Sequence, residues 1–187
     1  MISSDNVESI TITYDAGGNP VKLEEYNSDY HNIYTYTYNN GSPVSGTFKS
    51  WELASGDLFE DDVLTYTVSN GLVTAINWTD QLGGNNMSFV LSYANGNLVK
   101  VQDAGNMFTA NFTFGNKKPV FPKVFNYIMD QAGYSMQFFA RNEILSMSFD
   151  FPGTVSDFTS TMQYTYDADG YVLTSNDGTS TFSYQYQ

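Results

Sequence analysis

The feature that most constrains this chain is a repeated unit. A run of alternating apolar and polar residues ends in an aromatic or aliphatic residue, makes a tight turn, and returns as a second alternating run. Ile10-Thr11-Ile12-Thr13-Tyr14 leads into Asp15-Ala16-Gly17-Gly18-Asn19, and Tyr34-Thr35-Tyr36-Thr37-Tyr38 into Asn39-Asn40-Gly41. Leu64-Thr65-Tyr66-Thr67-Val68 precedes Ser69-Asn70-Gly71, and Phe89-Val90-Leu91-Ser92-Tyr93 precedes Ala94-Asn95-Gly96. Phe108 to Phe114 meets Gly115-Asn116-Lys117, and Met162-Gln163-Tyr164-Thr165-Tyr166 meets Asp167-Ala168-Asp169-Gly170. A seventh copy reads from Met136 to Ala140, turns at Arg141-Asn142-Glu143 and returns from Ile144 to Phe151.

Alternation at period 2 with threonine and aromatic rings is the signature of half-buried strands. Asn-Gly supplies the two consecutive positive-φ residues of a type I′ hairpin turn, and it recurs in register at 40–41, 70–71 and 95–96. Seven hairpins, closing on Thr181 to Tyr186, predict about 14 short antiparallel strands in one domain, residues 1–187. One face reads Ile, Tyr, Phe and Leu, the other Thr, Ser, Gln and Asn, so one side is packed and the other solvated. The fold class is therefore all-β.

Between Pro119 and Gly133 the period changes. Phe121, Val124, Phe125, Ile128, Met129 and Ala132 recur at three-and-four spacing, which predicts a short amphipathic helix at about 121–131. A sheet of 14 strands is too large to stay open comfortably, and a barrel that wide is not filled by its own side chains. The expectation is a barrel-like or strongly curved sheet whose apolar concave face the helix plugs or caps. A membrane-inserted barrel needs strands of about 9–11 residues with a lipid-facing apolar band. Here the regular runs span five to seven residues and their second face is polar, so membrane insertion by this domain is not expected.

Composition closes off several chemistries. One histidine and no cysteine exclude the usual zinc sites, disulfide scaffolds and thiol nucleophiles. A net charge of −13 with scattered lysines and the single Arg141 makes nucleic acid an unfavourable partner. Met1-Ile2-Ser3-Ser4-Asp5-Asn6 has neither a basic nor an apolar leader segment.

The remaining motifs each have a plain structural reading beside the functional one. Asp167-Ala168-Asp169-Gly170 resembles the start of a calcium loop, but Gly178 stands where an EF-hand requires glutamate; a hairpin turn is expected. Glu60-Asp61-Asp62 reads as a solvated loop before a strand at Val63. His31, the sole imidazole, has no accompanying nucleophile motif. Twenty acids leave a glycosidase-like carboxylate pair open. Tyr30, Tyr34, Tyr36 and Tyr38, with Trp51 and Trp78, suit stacking on sugar faces, although Tyr34, Tyr36 and Tyr38 share one strand face and read as wall or core. Trp51 falls in the long connection Phe48 to Asp62 and Trp78 ends its strand before Asp80, so Trp51 and Trp78 are the ligand candidates. No metal ligands and no cofactor are expected.

Tyr166-Asp167-Ala168-Asp169-Gly170-Tyr171-Val172 and Tyr14-Asp15-Ala16-Gly17-Gly18 resemble the Tyr-Asp hairpin repeats of Rhs-type proteins, lacking the arginine that usually follows their glycine. Nearly the whole chain is similar to a family of mostly exported bacterial domains of porin-like β-fold, often attached as lipoproteins. The likeness rests on Asn116-Lys117-Lys118-Pro119, the apolar stretch Phe121 to Gln131, and Ala140-Arg141-Asn142-Glu143-Ile144 in that order. These are turn motifs, and the family brings no assigned activity or site with it. The expected function is a non-enzymatic extracytoplasmic binding or cell-surface module, monomeric, periplasmic or surface-exposed, with any lipid anchor carried by a segment outside this sequence. A glycan or an apolar small molecule is the expected ligand. The alternatives are a carrier of an apolar ligand inside an aromatic-lined barrel, and a carboxylate-dependent hydrolase.

Overall fold

The computed structural model describes residues 9–84, 86–120 and 141–185. Among them are 14 strands: β1 Ser9–Tyr14, β2 Pro20–Tyr26, β3 Tyr30–Asn39, β4 Ser42–Glu52, β5 Leu58–Ser69, β6 Leu72–Asp80, β7 Met87–Ala94, β8 Asn97–Asp103, β9 Thr109–Phe114, β10 Ile144–Asp150, β11 Phe158–Thr161, β12 Gln163–Tyr166, β13 Val172–Asn176 and β14 Thr181–Ser183. The helix expected at 121–131, and the strand at 136–140, lie outside the described residues. Packing divides the chain into two compact units, Met1–Phe89 and Val90–Gln187.

The turns form as their residues require. The Asn-Gly pairs adopt φ of 50° and 76° at Asn40-Gly41, 52° and 76° at Asn70-Gly71, and 53° and 81° at Asn95-Gly96, the left-handed pair that lets strands of right-handed twist fold back in two residues. The two Tyr-Asp turns share a second solution. Asp15 Oδ1 accepts the Gly17 and Asn19 amides, each at 2.8 Å, and Asp167 Oδ1 accepts those of Asp169 and Tyr171 at 2.9 and 2.8 Å. The aspartate closes the turn on its own backbone.

Two expectations are corrected. Of the two expected forms, a barrel or a strongly curved sheet, the barrel is not closed among the described residues, where no ladder joins β1 to β11. Eleven form one open antiparallel sheet in chain order from β1 to β11, and β12-β13-β14 form a separate sheet. The array divides at Met162, whose amide still donates to Leu145 O at 2.8 Å on the edge of β10, while the next residue, Gln163, already pairs with Asn176. One extended segment thus serves two sheets, and a continuous 14-strand array is never assembled. Nor are all strands short: β3, β4, β5 and β6 run 10, 11, 12 and 9 residues. Register shifts at Thr37/Tyr38, Ser50/Trp51 and Thr67/Val68 carry the ladders through places where the alternation changes phase.

In the first unit Leu23, Tyr34, Tyr36, Phe48, Leu64, Val73, Ile76, Trp78 and Phe89 form the buried face. Tyr34 stands opposite Phe48, and their rings stack at 4.4 Å. Gly46, opposite Tyr36, makes room for this layer: a Cβ there would meet the Thr35 carbonyl oxygen at 2.7 Å and the Tyr66 hydroxyl at 3.1 Å. In the second unit Leu91, Leu98, Val101, Phe108, Phe112, Ile144, Phe149 and Val172 are buried. A polar node fixes this unit where β10 begins. Asn97 Oδ1 accepts the amides of Arg141 and Asn142 at 2.7 and 2.9 Å, and the buried Glu143 accepts the Lys117 amide at 2.6 Å and the Tyr166 hydroxyl at 3.2 Å.

Candidate functional site

The solvated face of β2 to β5 carries a row of rings that the core does not absorb. Tyr26 pairs with His31, His31 with Trp51 and Trp51 with Leu58 in the strand register. The turn after β2 brings the first two together: Asn27 Oδ1 accepts the Asp29 and Tyr30 amides at 2.9 and 2.7 Å and returns the chain one strand over. Tyr26 and His31 stack at 4.0 Å with only 8° between their planes, and His31 lies 5.5 Å from Trp51 at 31°. Stacked rings gain beyond their buried area and resist reorientation, so the row is preorganised.

A charged row borders it. Glu24 Oε2 accepts from Lys22 Nζ at 2.7 Å and Oε1 meets His31 Nε2 at 2.9 Å. The Lys22 ammonium first, and then His31, hold the Glu24 carboxyl below its usual value. Lys49 Nζ pairs with Asp61 at 2.8 Å. Beyond these come threonines, with the Thr35 and Thr47 hydroxyls 2.7 Å apart. The charges of this face cancel locally, leaving an aromatic strip beside an ion-paired row with hydroxyls beyond it.

The opposite face of the same strands holds carboxylates. Asp62 is 3% exposed and directly opposite Asp80; Glu60 is opposite the buried Ser50, which is in turn opposite Asn32. Burial first, and then Asp62 and Asp80, push the Glu60 carboxyl up to about 7. Asn32 Nδ2 donates to Glu25 at 3.2 Å, whereas its Oδ1 is buried without a hydrogen-bond partner. Among the described residues no three His, Cys, Asp or Glu side chains are arranged to hold a metal ion.

The sequence candidates therefore separate. Trp51 lies on β4 and not in a loop, because the 30-residue spacing lengthens β4 and β5 and leaves only residues 53–57 as connection. Trp78 is 4% exposed and meets the Phe48 ring edge-on at 6.1 Å; it is a core side chain. Tyr34 and Tyr36 are buried wall, and the Tyr38 hydroxyl donates to Pro20 O at 2.7 Å. Glu60, Asp61 and Asp62 are in β5 and not in a solvated loop. Asp167 and Asp169 are turn residues. Sequence reasoning missed Tyr26 and Glu24; the available signal was the tight Asn27-Ser28-Asp29 turn, which places Tyr26 beside His31.

No family model and no curated protein sequence matches the chain. Its fold is porin-like. It superposes on a porin-like protein from Bacteroides uniformis ATCC 8492 with a TM-score of 0.52 and 17% identity, over 90% of this chain and 81% of that one. It superposes on a porin-like protein from Bacteroides vulgatus ATCC 8482 with a TM-score of 0.52 and 10% identity, over 93% of this chain and 88% of that one.

Proposed function

On the premise of a porin-like fold, we propose that this chain is a non-enzymatic binding or cell-surface module acting outside the cytoplasm. The observation that carries the reading is the Tyr26-His31-Trp51 row, three rings held at a solvated surface where the core has no use for them. Tyr26 is exposed and His31 and Trp51 are half-buried beside it, and preorganised aromatic groups at the surface of a sheet suit recognition. Strand length no longer argues against membrane insertion, since β3 to β6 are long enough to cross; the reading of a non-inserted domain rests on the Lys22, Glu24, Thr35 and Thr47 face. The test is surface labelling of intact cells expressing the full gene, joined to binding screens of the purified chain against glycans and lipids. Labelling together with saturable binding and no turnover supports the module; an intracellular, non-binding protein overturns it.

A carboxylate-dependent hydrolase is a second reading, favoured by one observation: Glu60 shares a strand end with Asp62 and Asp80, where burial and then those two carboxyls push its own up to about 7, the direction in which a general acid of glycoside hydrolysis is tuned. Glycoside turnover by the purified chain that is lost in both Glu60→Gln and Asp62→Asn would establish it.

A further inference from the structure

Each ring of the exposed row has two faces, and most of them are occupied. His31 lies between Tyr26 and Trp51, and Trp51 has Leu58 on its far side. Tyr26 has His31 against one face; its other cross-strand neighbour is Ser9 of β1, a side chain too small to cover a phenol ring. Tyr26 is 37% exposed. Among the described residues the stack thus ends in one rigid aromatic face. Along the same face the neighbours are polar: Thr11 of β1 pairs with Glu24 two residues away, and Thr13 with Lys22 four residues away.

We infer that the outer face of Tyr26, above Ser9, is the stacking site for a neutral pyranose ring of a glycan. This inference rests on the binding-module reading and names its ligand class. A pyranose joins a C–H face, which packs on an aromatic ring, to a rim of hydroxyls, which need donors and acceptors around it. Glu24 and Thr11, two residues along the same face of β2 and β1, supply an acceptor and a hydroxyl on one side of Tyr26, with Lys22 and Thr13 farther along it. The ligand is neutral because Lys22 is paired with Glu24 and Lys49 with Asp61, leaving this face without net charge, while the chain as a whole, at −13, repels anionic polysaccharides. An extended apolar ligand does not fit a strip one ring wide bordered by a row that carries Glu24, Lys49 and Asp61.

The test is an array of neutral, anionic and amino-sugar glycans probed with the whole chain, followed by titration of the best neutral oligosaccharide. Tyr26→Ala should raise Kd about tenfold and Tyr26→Phe should leave it unchanged, with a cooperative thermal transition kept in both. Ser9→Tyr, which covers the ring without removing it, should abolish binding. Binding that survives Tyr26→Ala and Ser9→Tyr, or a preference for anionic glycans, overturns the inference. If no glycan binds but native mass spectrometry of the same preparation retains a lipid, the inference falls and the binding-module reading stands; if nothing binds, both fall.

Discussion

Asp62 and Asp80 face one another across the β5–β6 ladder, with Asp62 buried, and Glu60 lies two residues from Asp62 on the same side of β5. Like charges at directly paired positions are destabilising, so the strand end is most comfortable when one of the three carboxyls keeps its proton.

Glu60 is that group, and the sign of its effect follows. Its carboxyl rises from 4.5 in the unfolded chain to about 7 in the folded one. The folded state therefore holds the proton more tightly, and the stabilisation is complete below pH 4.5 and lost as pH rises through 7. Allowing for solvent screening, the loss is about 1–2 kcal/mol. Glu60→Gln should be neutral at pH 4.5 and stabilising by about 1 kcal/mol at pH 8; urea unfolding at both values measures it, and equal effects at the two would remove Glu60 from the account.

Gly46 and Gly71 should fail for different reasons when substituted. At Gly46 a Cβ meets the backbone oxygen of Thr35 at 2.7 Å, so Gly46→Ala overpacks the layer and costs about 1–3 kcal/mol. At Gly71 the space is open but φ is +76°; Gly71→Ala costs about 1 kcal/mol through backbone conformation, and Gly71→Val more. Thermal melts of the variants should rank both alanine substitutions below the parent, and a neutral Gly71→Val would mean that the 70–71 turn is not type I′.

The two tryptophans should part company. Trp78→Ala removes a buried ring and should cost about 3–5 kcal/mol. Trp51→Ala, on the solvated face, should cost less than about 1 kcal/mol. Emission spectra add a second readout: Trp51→Phe leaves the blue-shifted spectrum of the enclosed Trp78, and similar melting temperatures for the two alanine variants would contradict the burial assignment.

Glu143 should be the costliest single polar residue of the second unit. Removing its carboxylate strands the Lys117 amide and the Tyr166 hydroxyl, so Glu143→Ala should lose about 2–3 kcal/mol, whereas Tyr166→Phe should lose about 1 kcal/mol. Burial first, then Glu143, pushes the Tyr166 hydroxyl up to about 12. Ultraviolet titration of phenolate should therefore show Tyr166 ionising late, and earlier in Glu143→Gln.

The hairpins were legible because their signal is local: Asn40-Gly41 or Asp167-Ala168-Asp169-Gly170 needs no knowledge of the rest of the chain to turn. What stayed hidden depends on register. Trp51 and Trp78 look alike in sequence, and only their places in the ladders, Trp51 opposite His31 on the solvated face and Trp78 opposite Leu64 on the buried one, decide that one ring faces solvent. Acids at 60–62 read as solvent-exposed because burying Asp62 is costly; the strand continues through them because its β4 and β6 neighbours pair with it. The break at Met162 has no turn residue to announce it, since the alternation from Phe158 to Tyr166 runs on while its partners change from β10 to β13.

The unbroken chain order of the eleven-strand sheet also bears on how the protein assembles. Strands that pair with their immediate predecessors need only short loops closed before contact is made, which keeps sequence separation low for a β-protein and favours fast folding. A nascent chain can zip from β1 onward as it emerges. Among the described strands of that sheet, β9 and β10 are the paired neighbours farthest apart in sequence, Phe114 standing opposite Ile144, and their pairing is the natural place for the folding barrier.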